Sequence, residues 1–474
     1  MKNNLPQLEP LTSDWMLNII QDTQLQKELF EAYQSPLNIH NLPAFEENCK
    51  EYQKVLSTYG FKSKVFFARK ANKFKNLINA AISSGIGVDT ASFRELEQGV
   101  NLQLNPDNLI STAAIKNRKL LKLAISNRVL IVVDNEDELD QIFEISQDLN
   151  TKAKIAIRIS GFEYKGNKLM SRFGFDVDAV EEMMLHYFKD SKRQQFNVEG
   201  FHFHLDGYST GQRGEALHQT LDLLEKLNIQ GFNFSFIDIG GGILMNYLKH
   251  ETQWIEFQKH LKDAVLGNRN AITYNNDGLG FTIRNGTVEG KLATYPYYNK
   301  QSKGSFLKKL LGTENKSHKP VYQRLEDLDV ELRLEPGRSL LNQVGITAAR
   351  VVHRKIDARG NHLIGLEMNM SQLKSSSADF LLDPFVGFQN PRPDAQPVEV
   401  YFTGAYCLER DVLLKRKIEL PQLPEPGDTI IFVNTAGYMM HFFETEAHLF
   451  ERAINLAVAE NKTRYQIADF EEES

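Results

Sequence analysis

A lysine placed just after a short apolar run is the residue that first indicates chemistry. Residues 65–68 are apolar and aromatic, Lys70 follows closely, and a helix-like stretch begins near Phe74. Barrel and doubly wound folds place functional side chains where buried strands leave the sheet. A lysine amine that is partly desolvated there becomes nucleophilic and can form a Schiff base with an aldehyde. A lysine at the end of a strand is more often simply solvated, so the case for a functional Lys70 depends on the other residues of the chain.

Two further strand-like runs end in residues that suit a flat, phosphorylated ligand. His202 and His204 share one side of the first run because side chains alternate along a strand. No carboxylate or cysteine lies at matching spacing, so we expect no metal here and instead an imidazole that stacks on a flat cofactor. The second run ends in Gly240, Gly241 and Gly242, whose N–H groups can form a nest for phosphate, although glycine turns also occur without ligands.

Three later stretches add an acid, a base and a thiol. A strand-like run ends in Glu335, which could pair with a ring N–H cation, and Arg338, whose fork suits phosphate. The alternative for these two residues is a surface ion pair. Cys407 lies near carboxylates and is either a proton donor or a small buried residue. Tyr438 follows a turn of small residues and presents a phenol.

Composition limits the class of protein. The chain has 474 residues, which suits two domains or one large barrel with an attachment. A net charge of −6 gives no electrostatic reason to expect a nucleic-acid partner. The two cysteines indicate neither a disulfide framework nor a zinc site, and they suit a reducing cytoplasm. Residues 1–20 lack the apolar core of a signal peptide, and the apolar runs are too short to span a membrane.

Strand-like and helix-like stretches alternate up to about residue 335, which predicts parallel βαβ units. Seven or eight such units favour an α/β fold with a (β/α)8 TIM-like barrel, and a doubly wound sheet is the alternative. We expect an N-terminal segment over 1–40 that packs with a second domain, a barrel over 41–335 and an insertion at about 265–320. Residues 336–474 read as the second, mostly antiparallel β domain, with a final helix over 446–459.

Taken in this order, the residues resemble the fold-type III, pyridoxal-phosphate-dependent decarboxylases, the diaminopimelate/ornithine decarboxylase family, from about residue 35 to 450. The resemblance implies that Lys70 carries the cofactor, that His204 stacks on its ring and that Glu335 pairs with the pyridine nitrogen. It implies a homodimer in which Cys407 serves the neighbouring subunit's site as a catalytic residue, with Arg172 and Asp411 paired across the interface. The remaining implied cofactor contacts are Asp89, Ser209, Gly240, Gly241, Gly242, Gly337, Arg338 and Tyr438.

The chain also departs from the family pattern, which indicates an outlying branch. The family's His-x-Gly-Ser is lengthened here between His204 and Ser209, and Leu408 stands where an acid usually follows the cysteine. Diaminopimelate decarboxylases have an arginine at a position that resembles Asp383. An acid there suggests a substrate with a cationic end.

We therefore expect a decarboxylase of a basic diamino acid such as ornithine or lysine, of either stereochemistry, or of a derivative. The predicted substrate-binding residues are Asp383, Tyr406 and Glu409. The alternatives are a diaminopimelate-type or siderophore-pathway decarboxylase, an alanine-racemase-type enzyme, and a non-catalytic, antizyme-binding homologue. The presence of Lys70, His204 and Glu335 together argues against the last of these.

Overall fold

Two sheets organise the computed structural model, which describes residues 5–188, 194–375, 380–459 and 466–470. Strands and helices are numbered in chain order. The strands up to residue 334 are β1 (Leu37–His40), β2 (Ser63–Ala68), β3 (Gly87–Thr90), β4 (Leu109–Ser111), β5 (Leu130–Val133), β6 (Ala153–Ser160), β7 (Glu163–Tyr164), β8 (Asn167–Lys168), β9 (Phe175–Asp176), β10 (Phe196–His202), β11 (Phe236–Asp238), β12 (Phe281–Arg284), β13 (Thr287–Gly290) and β14 (Glu331–Leu334).

The remaining strands belong to the second sheet, and the helices are spread along the chain. The strands are β15 (Gly345–Ile356), β16 (His362–Leu366), β17 (Phe385–Gly387), β18 (Val398–Thr403), β19 (Val412–Leu420), β20 (Thr429–Val433), β21 (Ile454–Ala459) and β22 (Gln466–Phe470). The helices are α1 (Asp14–Gln21), α2 (Thr23–Tyr33), α3 (Leu42–Leu56), α4 (Asn76–Ser83), α5 (Phe93–Asn101), α6 (Arg118–Ser126), α7 (Glu136–Asp148), α8 (Val177–Tyr187), α9 (Thr210–Ile229), α10 (Glu251–Val265), α11 (Lys303–Leu311) and α12 (Val321–Asp327).

Eight parallel strands close into a barrel, which confirms the predicted fold class over the doubly wound alternative. Their order is β2-β3-β4-β5-β6-β10-β11-β14, and β14 pairs with β2 in parallel register to complete the ring. Alternating side chains give each strand an inner and an outer face. Phe66 thus packs with Ile110 and Phe236 in the barrel interior, whereas Phe67 packs outward with the helices.

Helix starts follow from local sequence. Ser92, Asn117 and Asn135 lie at the N-caps of α5, α6 and α7, and each side chain accepts a hydrogen bond from the N–H of a residue in the first turn. Because every barrel helix then runs back antiparallel to its strand, all the strand C-termini meet at one rim.

The second sheet is mostly antiparallel and is built around the long strand β15. The short strand β1 lies between β15, to which it is antiparallel, and β21, to which it is parallel. Helices α1 and α2 cover this part of the sheet with Trp15, Met16 and Phe30.

One part of the stretch from α10 to α12 packs against the β domain, and another part packs against the barrel. Trp254, Phe257 and Tyr295 pack with apolar side chains of the β domain. By contrast, α11 packs against α9 and α3 in the layer of helices around the barrel. Within the described residues, no helix is both long and apolar enough to cross a membrane.

The predicted helix over 446–459 is wrong, because its first part forms only a short 3-10 turn over Ala447–Leu449 and its second part is strand β21. Leu456 is buried, and residues 454–457 pair in register with β1. The cause is long-range pairing, since β1 offers an open edge that a local sequence pattern does not reveal.

Candidate active site

The carboxyl ends of the barrel strands surround a cavity of about 300 Å³. Its walls come from the turns after β2, β10, β11 and β14 and from the β domain residues Tyr438 and Phe442. The structure therefore brings together residues that are far apart in the sequence. The predicted site residues that line this cavity are Lys70, His204, Gly241, Gly242, Glu335, Gly337, Arg338 and Tyr438.

Lys70 lies in a single helical turn directly after β2, and its amine faces Asp89 at the end of β3. Lys70 Nζ is 3.4 Å from Asp89 Oδ2, and Thr112 Oγ1 donates a 2.5 Å hydrogen bond to Asp89 Oδ1. Burial favours the neutral amine, but the nearby Asp89, Tyr438 and Glu335 outweigh it and raise the pKa of Lys70. The expectation that partial desolvation makes this amine nucleophilic did not include the anions around it, because they lie on other elements of the chain.

Glu335 is buried beneath the cavity with His202 and Asp238. Their ligand atoms lie within 4.8 Å of one another, so the fold supplies the carboxylates that local spacing around His202 lacks. Glu335 Oε1 is 3.3 Å from His202 Nε2, yet the oxygen has no hydrogen-bond partner in the structure. Burial, together with the charge of Asp89, raises the pKa of Glu335 to about 8, and burial beside Glu335 raises that of Asp238 to about 7.

The glycine turn after β11 holds the ring of His204. Gly241 N–H donates to His204 Nδ1 at 3.2 Å, and Gly240 N–H donates to Asp238 Oδ1 at 2.9 Å. A Cβ at Gly241 would lie 2.6 Å from the Glu335 carbonyl oxygen, so only glycine fits there. Burial, reinforced by the charge of Lys70, holds the pKa of His204 well below its usual value and keeps the ring neutral.

Arg338 and Tyr438 also line the cavity. The Arg338 guanidinium donates to the Gly437 carbonyl at 3.1 Å and lies 4.4 Å from the ring centre of Tyr295. Tyr438 N–H donates to the Ala71 carbonyl at 2.8 Å, which ties the β domain to the turn that carries Lys70. Tyr295 was missed from the sequence because it lies in the irregular stretch after α10.

Ser209 has a structural task in this chain. Its hydroxyl caps α9 by accepting a hydrogen bond from Gln212 N–H at 3.2 Å, and it does not line the cavity. The lengthened loop before it lines the cavity instead, through residues 205–208. Arg213, one turn into α9, was also missed from the sequence. It lies three and four residues before the buried Ala216 and Leu217, a spacing that places it on the apolar face of the helix.

The three predicted substrate residues do not line the cavity. Asp383 accepts hydrogen bonds from Arg416 Nη1 at 2.7 Å and Leu8 N–H at 2.8 Å. The Tyr406 hydroxyl is 3.2 Å from Ser371 Oγ and donates to the Thr445 carbonyl, whereas Glu409 is exposed on the β domain.

The residues predicted to lie at the dimer interface differ in exposure. Cys407 and Arg172 are exposed, whereas Asp411 is buried. Cys407 is an exposed free thiol at the surface of the β domain. Asp411 shapes its loop by accepting N–H bonds from Met370 at 2.8 Å and Tyr406 at 2.7 Å. Arg172 is exposed and stacks on Phe173 at 3.9 Å. A single chain thus brings neither Cys407 nor Arg172 into the cavity wall.

Comparison with known proteins identifies relatives of this architecture. Residues 42–266 match the family described as "Pyridoxal-dependent decarboxylase, pyridoxal binding domain". The chain is 29% identical over 418 residues to uncharacterized protein y4yA of Sinorhizobium fredii, covering 87% of this chain and 85% of that protein. It is 22% identical over 428 residues to diaminopimelate decarboxylase of Helicobacter pylori, covering 87% of each.

Solved structures share the fold. The Helicobacter pylori diaminopimelate decarboxylase complexed with L-lysine superposes with a TM-score of 0.67 at 20% identity, covering 93% of this chain and 95% of that one. Lysine decarboxylase from Selenomonas ruminantium gives a TM-score of 0.65 at 18% identity, covering 91% and 94%. At these identities the likeness shows the barrel and β domain architecture.

Proposed function

Because this chain belongs to the fold-type III, pyridoxal-phosphate-dependent decarboxylases as a distant branch, we propose that it removes the carboxyl group of a basic amino acid. The observation that carries this proposal is the convergence of Lys70, His204 and Glu335 on one cavity. Each comes from a different strand end, and each offers a group that a pyridoxal ring requires.

The residues present fit the family's cofactor. Pyridoxal phosphate supplies an electron sink for the carbon that loses its carboxylate. The buried Glu335 Oε1, which has no hydrogen-bond partner, suits a ring N–H, and the neutral His204 offers a flat face. Lys70 would hold the aldehyde carbon, and Gly242 with Arg338 would meet the phosphate.

The chain's own groups control protons at this site. With a pKa raised to about 8, Glu335 retains a proton near neutral pH and can share it with a pyridine nitrogen. The neighbouring anions keep the free Lys70 amine charged, which makes it a proton donor once it is released from the aldehyde. After carbon dioxide leaves, the proton for the substrate carbon comes from Lys70 or from the Cys407 thiol of a second copy.

A homodimer accounts for the exposed position of Cys407. The next residue along the chain, Leu408, is exposed, and so are Phe442 and Phe443 of the β domain. Phe442 also lines the cavity. An exposed apolar group that borders a cavity suits burial by another subunit. We therefore propose that Cys407 completes the cavity of a partner and that Arg172 and Asp411 meet across the same interface.

The substrate class rests on the relatives. The relatives include decarboxylases of diaminopimelate, arginine and lysine, and these three amino acids all carry a second nitrogen group. Since Asp383 is bonded to Arg416 and Leu8, we do not assign recognition of that group to Asp383.

A decarboxylation screen tests the proposal. The purified protein with pyridoxal phosphate is incubated singly with the L and D forms of ornithine, lysine, arginine and diaminopimelate and with their N-acyl or citryl derivatives. We expect carbon dioxide from at least one basic amino acid. We also expect an absorbance band near the visible edge that borohydride removes and that Lys70→Ala lacks.

The alternatives give different results in the same assay. Racemised substrate without carbon dioxide would indicate a racemase-type enzyme. Absence of the Lys70-dependent band would indicate a non-catalytic homologue, and either outcome contradicts the proposal.

A further inference from the structure

The glycine turn after β11 has fewer amide groups for an anion than its sequence suggests. Gly240 N–H is bonded to Asp238 and Gly241 N–H to His204. Of the three glycine N–H groups, that of Gly242 is the one that takes part in neither of these two hydrogen bonds. A phosphate dianion at this turn needs compensation from other donors and charges.

Arg213 lies directly behind this turn. Its guanidinium Nη2 donates to the Leu205 carbonyl at 2.9 Å and lies 3.5 Å from the Gly241 carbonyl oxygen. One side chain thus joins the loop after β10 to the loop after β11. A Cβ at Gly242 would collide with the same guanidinium, so the glycine permits the close approach.

The charge of Arg213 is buried without an anionic partner. Its side chain is 0% exposed, and its Nε and Nη1 atoms have no hydrogen-bond partner. Among the described residues, no carboxylate lies within ion-pair distance of it, whereas three other buried arginines each face one. These pairs are Arg158 with Asp134, Arg324 with Glu225, and Arg416 with Asp383.

A buried cation without a counter-ion is costly, and a bound anion would remove that cost. Burial lowers the pKa of Arg213 to about 10, and Tyr208 and Asp206 offset this only in part. Arg213 lies against Gly241 and Gly242 of the cavity wall, and Arg338 is a second cation that lines the same cavity. The cavity therefore has one arginine behind its glycine turn and another in its wall.

The lengthened loop explains why this chain needs such a residue. Ser209, which the family pattern assigns to the phosphate, caps α9 instead. The loop that separates it from His204 places Tyr208 in the cavity wall. Burial raises the pKa of the Tyr208 hydroxyl, and the charges of Arg338 and Arg213 both counteract this.

We propose that Arg213 is a positioning residue of the cofactor's phosphate subsite. It holds the loops after β10 and β11 together and supplies positive charge behind the glycine turn, in place of the displaced serine. This inference rests on the pyridoxal phosphate site of the proposed function. It assigns no step of the reaction to Arg213.

The test compares two aldehydes that differ only in the phosphate. Pyridoxal phosphate and pyridoxal are titrated onto cofactor-free protein, and their dissociation constants are measured from the Lys70-dependent absorbance band. For Arg213→Met we expect at least about tenfold weaker binding of pyridoxal phosphate, since a charge-assisted contribution is lost, with pyridoxal binding nearly unchanged. Arg213→Lys should restore most of the preference for the phosphorylated aldehyde.

The matched control is Arg324→Met, because Arg324 is also buried and bonds α9 through the His218 carbonyl at 3.1 Å. It should leave the ratio of the two dissociation constants unchanged. If Arg213→Met does not fold, Arg213→Gln removes the charge but keeps a hydrogen-bond donor, and the same loss of preference is expected.

Equal weakening of both aldehydes, or no weakening of either, would overturn the role of Arg213 while the wild-type band leaves the proposed function intact. Absence of the band in the wild-type protein would overturn both together.

Discussion

At the scale of single residues, the environment of a side chain decides its chemistry more than its type does. Glu331 is the first residue of strand β14, and Glu335 follows directly after its last residue. Glu331 is half-buried and paired with Arg333. Glu335 is instead buried near Asp238 and Asp89, and burial together with the charge of Asp89 raises its pKa to about 8. Glu335 can therefore share a proton with a ring nitrogen near neutral pH.

Replacing Glu335 by glutamine should lower the rate of decarboxylation by at least about 100-fold, since an amide cannot keep a ring nitrogen protonated. The measurement is the turnover number with the preferred substrate at saturation. Glu331→Gln is the matched control and should retain near-normal turnover. A Glu335→Gln enzyme with normal turnover would remove Glu335 from the proposed mechanism.

The same variant has a second readout in the cofactor-free protein. The pKa of Glu335 is higher in the folded than in the unfolded chain, so the folded state binds more protons from about pH 4.5 to pH 8. The contribution of Glu335 to stability is therefore greatest below this window and falls as the pH rises through it. In Glu335→Gln the fall in unfolding free energy, followed by urea titration at several pH values, should be shallower.

Residue types at strand ends could be predicted from the sequence, but their surroundings could not. Lys70, His204 and Glu335 were visible because each ends or closely follows a strand-like run. Arg213 was not, because a single arginine in a helix usually faces solvent, and its burial depends on two loops from other strands. The contact between Asp383 and Arg416 likewise joins distant parts of the β domain.

At the scale of elements, local patterning succeeded where partners are neighbours in sequence. Consecutive barrel strands pair with one another, and the pair β14–β2 joins the two ends of the series, so alternating apolar runs and capped helices predicted the barrel. The final strand β21 pairs with β1, more than four hundred residues earlier, and was predicted as helix. The stretch after α10 has no repeating pattern at all.

Tyr295 shows what that irregular stretch contributes to the site. Its hydroxyl accepts a 2.7 Å hydrogen bond from Met245 N–H, and its ring packs beside Arg338. Tyr295→Ala should lower the unfolding free energy by about 3 kcal/mol and weaken cofactor binding, because Arg338 loses its support. Tyr295→Phe removes only the hydroxyl and should cost about 1 kcal/mol.

Thermal unfolding and cofactor titration of both variants measure these effects. The half-buried Tyr298, from the same segment, provides the control through Tyr298→Ala. Cofactor affinity that is unchanged in Tyr295→Ala would show that Arg338 needs no support from this segment.

At the scale of the whole molecule, the proposed dimer makes each site a joint product of two chains. Lys70 lies in the barrel cavity, and Cys407 lies on the surface of the β domain. If the partner's Cys407 donates the proton, two inactive variants, one altered at each position, should therefore repair one another. Random mixing of Lys70→Ala and Cys407→Ala subunits would give half hybrids with one intact site each, hence about one quarter of wild-type activity.

Activity is measured after the two variants are unfolded together and refolded, with each variant refolded alone as the control. Recovery should exceed the sum of the two separate preparations. Hybrid dimers that are confirmed by mass but remain inactive would show that the sites are not shared. Arg172→Glu should lower dimer formation and activity together.

The position of β1 has a consequence for synthesis of the chain on the ribosome. This strand is made early, but its two neighbours are β15 and β21, which are made late. The barrel strands from β2 to β14 are all synthesised in between and can close into a ring first. The N-terminal strand therefore waits beside a finished barrel, and a ribosome that stops before residue 454 releases a barrel whose β domain still has an open edge.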